Sequence, residues 1–196
     1  MGLLSLEHSK AVYRADFAFY GFAVGGLALF LARNVPGERA MESVICLVFG
    51  LASWTLVEYA MHRYVLHGMQ PFRRWHAAHH ERPQALICTP TLLSGTLIIV
   101  LVFIPALTLG DVWGASALTL GILAGYLAYT VTHHATHHWH ADLAWLNRRK
   151  RWHALHHHHV DHPECYGVTT TLWDYVFGSD HRTVVRRAMG KPGISA

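Results

Sequence analysis

The chain is poor in charge, in cysteine and in carboxylates. Charged residues make up 14% of its 196 residues, against 52% hydrophobic. Average globular chains carry about a quarter charged residues. The shortage argues against a surface wetted all round and for a membrane protein. The three cysteines, Cys46, Cys88 and Cys165, are odd in number and far apart. They exclude a disulfide framework or a Cys-x-x-Cys site and read as small apolar residues. Only 12 residues are Asp or Glu, and almost none falls inside the histidine motifs below. The formal net charge is +4 and the mean hydropathy +0.21. Arg and Lys flank apolar runs, which reads as topology and headgroup contact, not as nucleic-acid binding.

What the chain has in plenty is long apolar runs. A bilayer core of about 30 Å needs about 20 residues of apolar helix. Four segments qualify, at about 15–33, 41–61, 90–110 and 112–132. The first has no small-residue cleavage site and is read as a retained anchor. "RNVPGER" joins the first two spans and "LGDVW" the last two, so each pair is a tight hairpin. Pro105 lies inside the third span and is expected to kink it. Basic residues set the orientation. Lys10 and Arg14 precede the first span; Arg63, Arg73, Arg74 and Arg82 follow the second; Arg148, Arg149, Lys150, Arg151, Arg182, Arg186, Arg187 and Lys191 follow the fourth. Arg33 and Arg39 count the other way and are outweighed. Both termini and all histidine motifs are expected on the cytoplasmic side.

Ten of the 18 histidines form a doubled pattern. His62 and His67 make H-x-x-x-x-H, and His76, His79 and His80 make H-x-x-H-H. After a long apolar stretch, His133 and His137 make H-x-x-x-H, and His153, His156 and His157 a second H-x-x-H-H. The flanks agree as well, "RRWHAAHHERP" against "KRWHALHHHHVDHP". Duplication of a hairpin or convergence on one ligand geometry would both produce this. Neutral imidazole is the commonest metal ligand. On a helix, positions i, i+3 and i+4 share a face, so each H-x-x-H-H points one way. Ten such rings are too many for one ion and suit two. His62 and His67 lie roughly 140° apart on a regular helix. They share an ion only if the helix loosens there; otherwise they face different ions. The lack of carboxylates argues against a Glu-rich di-iron bundle and for an all-imidazole site.

Ligating imidazoles usually donate their other N–H to an acceptor. Glu58, Asp161, Glu164 and Asp174 are candidates for that role, although Glu58 also reads as a helix-end carboxylate reaching for water. His158, His159 and His162 read as solvent or supporting residues. His8 and His181 stand outside every cluster. His134 and His138 form another i, i+4 pair about 100° round the same helix. Trp173, Tyr175 and Phe177 read either as an interfacial anchor or as a lid over a substrate tunnel.

The order H-x-x-x-x-H, H-x-x-H-H, H-x-x-x-H-H, H-x-x-H-H at the ends of four spans resembles the fatty acid hydroxylase and sterol desaturase superfamily. "GVTTTLWDYVFGSDHR" is similar to that superfamily's C-terminal segment. "HHERPQALICTPTLL" resembles the stretch after the second motif of fatty acid 2-hydroxylases. The resemblance covers about residues 41–185. It implies an all-α integral membrane fold, residues 1–196 forming one domain. Two hairpins would be capped by a cytoplasmic di-metal layer from segments 62–89 and 133–185. It implies two iron ions, replaceable by zinc on purification, and O₂ as co-substrate. The implied ligands are His62, His67, His76, His79, His80, His133, His137, His153, His156 and His157. The superfamily has an aromatic residue where this chain has His134, so whether His134 or His138 joins the site stays open.

The function so implied is hydroxylation of a C–H bond in a fatty acyl chain or related lipid. Some fatty acid 2-hydroxylases carry a fused haem domain; this chain leaves no room for one. A separate ferredoxin, rubredoxin or cytochrome is therefore implied as electron donor. The alternatives are a carotenoid or sterol hydroxylase or desaturase with the same site, a single-zinc hydrolase, and a metal-handling membrane protein. Against the last, the spans hold almost no ionisable residues at mid-depth. A bacterial inner membrane is the expected location.

Overall fold

The computed structural model describes residues 7–158 and 164–189, with side chains to residue 186. Among these residues it is all-helical, apart from one isolated bridge between Glu7 and Ile87. The helices are α1 (Lys10–Asn34), α2 (Ala40–Ala60), α3 (Phe72–Glu81), α4 (Thr91–Ile98), α5 (Ile104–Leu109), α6 (Val112–His138), α7 (Ala144–His158), α8 (Leu172–Phe177) and α9 (His181–Met189). Two π-helical stretches, Met61–Leu66 and Ile99–Phe103, continue α2 and α4. Four helical runs are long and apolar enough to cross a membrane: Lys10–Asn34, Gly37–Leu66, Thr91–Leu109 and Val112–His138. All but the third overrun the apolar segments, because no Gly or Pro stops the ladder where hydropathy falls. Hence α6 continues to His138 and carries four histidines.

The chain divides into two compact units, Met1–Trp54 with Gln84–Val131, and Thr55–Pro83 with Thr132–Ala196. In the first, half of the apolar window of α6 is buried, against 17, 11 and 11% in the other three runs. The large apolar side chains left outside, such as Phe22 and Leu109, suit contact with lipid. Close approach of α2 and α6 depends on glycine. A Cβ on Gly121 would lie 2.2 Å from the Leu47 carbonyl oxygen, and one on Gly50 would lie 2.4 Å from that of Leu118. Small residues at such crossings let dispersion contacts replace the missing hydrophobic drive between helices. Trp54, Tyr20, Tyr126, Ile98 and Ile122 fill the core beside this contact.

At Pro105, where a kink is expected, the helix changes register. Proline has no N–H for a regular ladder. The π-helical turns just before it let the helix restart at Ile104 with Pro105 in its first turn. Asp111 starts α6 by accepting from the backbone N–H of Trp113 and Gly114, each at 2.9 Å. Its other oxygen pairs with Arg39 at 2.8 Å.

The second unit holds α3, α7, α8, α9, the histidine ends of α2 and α6, and a buried strap, residues 164–169. Gly167 is required in the strap, since a Cβ there would meet the Thr170 oxygen at 1.9 Å. Gly178, at φ 63°, ends α8 in the left-handed conformation that glycine adopts without penalty.

Candidate metal centre

The histidine rings gather into two groups within the second unit. His62, His67, His76, His80 and His156 form one; His79, His133, His137 and His153 form the other. Within each, one nitrogen per ring lies within 4.8 Å of all the others. Such a set can hold a metal ion. His157 stands against the second group, its Nε2 3.1 Å from that of His153 and its ring stacked on His80 at 4.2 Å. The ten sequence-selected rings are thus brought together.

The local reason for the first pair is the π-helix. The His67 N–H donates to the carbonyl of His62 at 3.2 Å, an i→i−5 bond. This wider turn brings residues five apart back to one face, with ring centroids 5.2 Å apart. His133 and His137 need no such device, since four residues on an ordinary helix suffice.

The H-x-x-H-H motifs do not each serve one group. Their outer members stay with the preceding pair: His76 and His80 with His62 and His67, His153 and His157 with His133 and His137. The middle members cross over. His156 reaches the first group, 4.3 Å from His62 between ring centroids, and His79 reaches the second, 4.7 Å from His133. The halves exchange one ring each, at corresponding positions.

Two hydrogen bonds fix which nitrogen faces the centre. His62 Nδ1 donates to the Tyr166 carbonyl at 2.6 Å, and His156 Nδ1 to that of Glu164 at 2.8 Å. A carbonyl only accepts, so Nδ1 carries the proton and Nε2 keeps its lone pair for a metal. The carboxylates act one step further out. Asp174 accepts from the backbone N–H of Tyr166 and Gly167 at 2.8 and 2.9 Å, from Ser179 Oγ at 2.8 Å and from Trp152 Nε1 at 3.3 Å. Glu58 accepts from Val168 N–H at 2.7 Å, Thr169 N–H at 2.9 Å and the Thr169 hydroxyl at 2.5 Å. Sequence reasoning placed Glu58, Glu164 and Asp174 directly behind the imidazoles. Instead, Asp174 and Glu58 hold the strap's amides, and two strap carbonyls receive the imidazole protons. The Glu164 carboxylate accepts from His181 Nδ1. Arg149, also buried, donates to the Thr169 carbonyl at 3.3 Å and supplies a positive charge near both carboxylates. A backbone carbonyl leaves no mark in sequence; Gly167 was the nearest signal.

Burial pushes the imidazoles towards the neutral form that binds metal. It holds His67 and His80 down to about 4, His157 to about 3 and His79 to about 2, neighbouring positive imidazoles adding to the effect at His67, His157 and His79. His79 also tests the fit directly. It is 4% exposed, and neither ring nitrogen has a hydrogen-bond partner. A buried imidazole without partners is costly, and a metal in the second group would take up its lone pair. A donor set of nitrogens alone suits iron, zinc or copper, not magnesium or calcium.

His134 and His138 lie outside both groups and stack on each other at 4.6 Å. His158 is exposed and apart from them; His159, Asp161 and His162 fall outside the described residues. In α8, Trp173 Nε1 donates to Thr55 Oγ1 at 3.0 Å and Phe177 stacks on Tyr59 at 5.3 Å. Leu172, Tyr175 and Val176 stay exposed, an apolar face that suits an interfacial anchor.

A family model described as fatty acid hydroxylase matches residues 47–179. The chain belongs to the fatty acid hydroxylase family. Its relatives include the dihydroceramide fatty acyl 2-hydroxylase FAH2 of Arabidopsis thaliana, 32% identical over 69% of this chain and 60% of the relative. The ceramide very long chain fatty acid hydroxylase scs7 of Schizosaccharomyces pombe is 32% identical over 82% of this chain and 47% of its own length. The chain therefore spans about half to three fifths of these relatives. The solved structure of full-length scs7p, in which only the hydroxylase domain is visible, shares the fold. Its TM-score is 0.69 at 22% identity, covering 89% of this chain and 67% of that one. With four spanning-length apolar helices, this family member is an integral membrane protein.

Proposed function

We propose that this chain is a membrane-bound di-iron monooxygenase that hydroxylates a fatty acyl chain. The observation that carries the reading is the two converging, mutually exchanged imidazole groups in a chain of the hydroxylase family. The first iron would be held by His62, His67, His76, His80 and His156. The second would be held by His79, His133, His137 and His153, with His157 as fifth ligand. When bound, the irons would supply activation of O₂ for the net reaction R–H + O₂ + 2 e⁻ + 2 H⁺ → R–OH + H₂O. The electrons would come from a redox protein such as a ferredoxin, rubredoxin or cytochrome. The relatives' names, fatty acyl 2-hydroxylase and ceramide hydroxylase, favour the carbon beside an acyl carbonyl as the position oxidised.

The protein's own residues have three tasks. The strap carbonyls of Tyr166 and Glu164 fix two imidazole tautomers. Asp174 and Glu58 hold the strap still. Buried Tyr166, packed against His62, His67 and His156, keeps bulk water from those rings, as an oxidation of an inert C–H bond requires. We further read residues 1–196 as one membrane domain with its histidine segments and termini in the cytoplasm, in a bacterial inner membrane. Arg39, which counted against this orientation, has its charge met by Glu42 at 2.5 Å and Asp111 at 2.8 Å.

Lipids extracted from cells with and without the gene, beside the His80→Ala, His157→Ala variant, test the reading by mass spectrometry. A lipid heavier by one oxygen, formed only with the intact chain, is the expected result. Loss of two hydrogens would replace hydroxylation with desaturation. An unchanged lipid profile with an added redox donor would overturn both.

A further inference from the structure

α6 carries a second histidine pair, one residue on from the first. His134 and His138 are also four apart, and their rings lie 4.6 Å apart between centroids. The same spacing places His76 and His80 at 4.7 Å, His133 and His137 at 4.9 Å and His153 and His157 at 4.6 Å. The backbone thus presents the fourth pair as it presents the other three.

Two things differ. The planes of His134 and His138 meet at 25°, whereas the other three pairs meet at 77, 80 and 69°. Near-parallel rings aim their lone pairs side by side, so one ring must rotate before both reach an ion. Both rings are half-buried, and that of His134 also stands edge-on to Trp139 at 6.4 Å, so His138 is the ring placed to turn. The pair also lies at a helix end suited to a cation. It occupies the last two turns of α6, where the helix dipole and the end carbonyls favour positive charge. The Lys150 ammonium shares this end, donating to the carbonyl of Trp139, and its charge keeps the hold on a second cation weak. The rings of His137 and His138 lie 6.3 Å apart, so the pair adjoins the second group directly.

We propose that His134 and His138 form a third metal site, an outer two-histidine station that takes a divalent transition ion and passes it to the second group. It rests on the two buried groups being metal sites. Two imidazoles, with water completing the shell, hold an ion less tightly than four or five and release it faster. A weak outer site one residue from a strong inner one is the arrangement a transfer needs. The sites are chemically alike, so an ion leaving His138 meets His137 without a change of ligand type.

The test uses the purified full chain in detergent, dialysed against a series of buffered zinc concentrations, with zinc per chain measured by mass spectrometry. The wild type should hold two equivalents throughout and gain a third only at high free zinc. His134→Gln, His138→Gln should keep the two and its thermal midpoint, and lose the third. Exchange of isotopically labelled zinc into the second group should slow several-fold in that variant. Equal zinc binding by both proteins at every concentration would overturn the site. Equal exchange rates would overturn the transfer. Absence of the two tight equivalents in the wild type would instead overturn the centre itself, a result distinct from either.

Discussion

The two histidine groups use one inventory of rings on two kinds of helical ladder. The first draws its pair from H-x-x-x-x-H and needs π-helical turns to bring His62 and His67 together. The second draws His133 and His137 from H-x-x-x-H and needs nothing beyond an ordinary helix. The first is braced by carbonyls of the strap, through His62 and His156. In the second, His79 has no brace on either nitrogen. Equivalent ligand sets therefore rest on unequal support. His62 and His156 are held by the strap, whereas His79 is held by no hydrogen bond and awaits its ion.

The largest test removes the exchanged rings. His156→Ala and His79→Ala should each abolish lipid hydroxylation and release one metal, His156→Ala from the first group and His79→Ala from the second. Metal content and product formation in membranes check this; retention of both metals in either variant would break the exchange. Next, Asp174→Ala leaves the amides of Tyr166 and Gly167 without their acceptor. The cost is about 2–5 kcal/mol of stability, with metal affinity falling about 10–100-fold. The loss should fall on the first group, and equal loss from both would remove the contrast in bracing.

The ladder contrast has its own test. Deleting Tyr64 turns the first pair into H-x-x-x-H, and a regular helix should then still hold two metals. Inserting one alanine between His133 and His137 should cost the second metal, unless a π-turn forms there. Acid separates the states more gently. Unfolded imidazoles protonate near pH 6.5, whereas His67 and His80 hold off to about 4 and His157 to about 3. The unfolded chain then binds more protons, so this stability is complete above about pH 6.5 and drains away as the pH falls towards 4. Thermal midpoint and bound metal should decline together through that window, and a flat profile would contradict burial as the cause. The smallest effect belongs to Glu164→Gln. The group that meets His156 is a backbone carbonyl, which the substitution leaves in place, so metal content should change less than about threefold.

The sequence made much of this legible because imidazole spacing and apolar length are written directly in residue types. The four spans and the ten rings needed only counting. The gathering of His62 with His67 was one of two open readings, because no residue in "MHRYVL" marks a π-turn. The crossing of His79 and His156 was hidden as well, since i, i+3 and i+4 share a face and periodicity does not say which ring leaves it. The role of the carboxylates was misplaced for a related reason. Side chains such as Asp174 advertise themselves, while the carbonyl of Tyr166 belongs to every residue alike.

The exchanged rings also set an order in time. During synthesis the first four histidines of the first group emerge early, but its fifth, His156, comes some 75 residues after His80. The second group waits equally on His153, although His79 was made long before. Neither group is complete until its ring from the last motif, His156 or His153, has been made. A chain that stops short of His156 therefore presents only partial sites, and full capture of metal reports that synthesis has passed the second H-x-x-H-H motif.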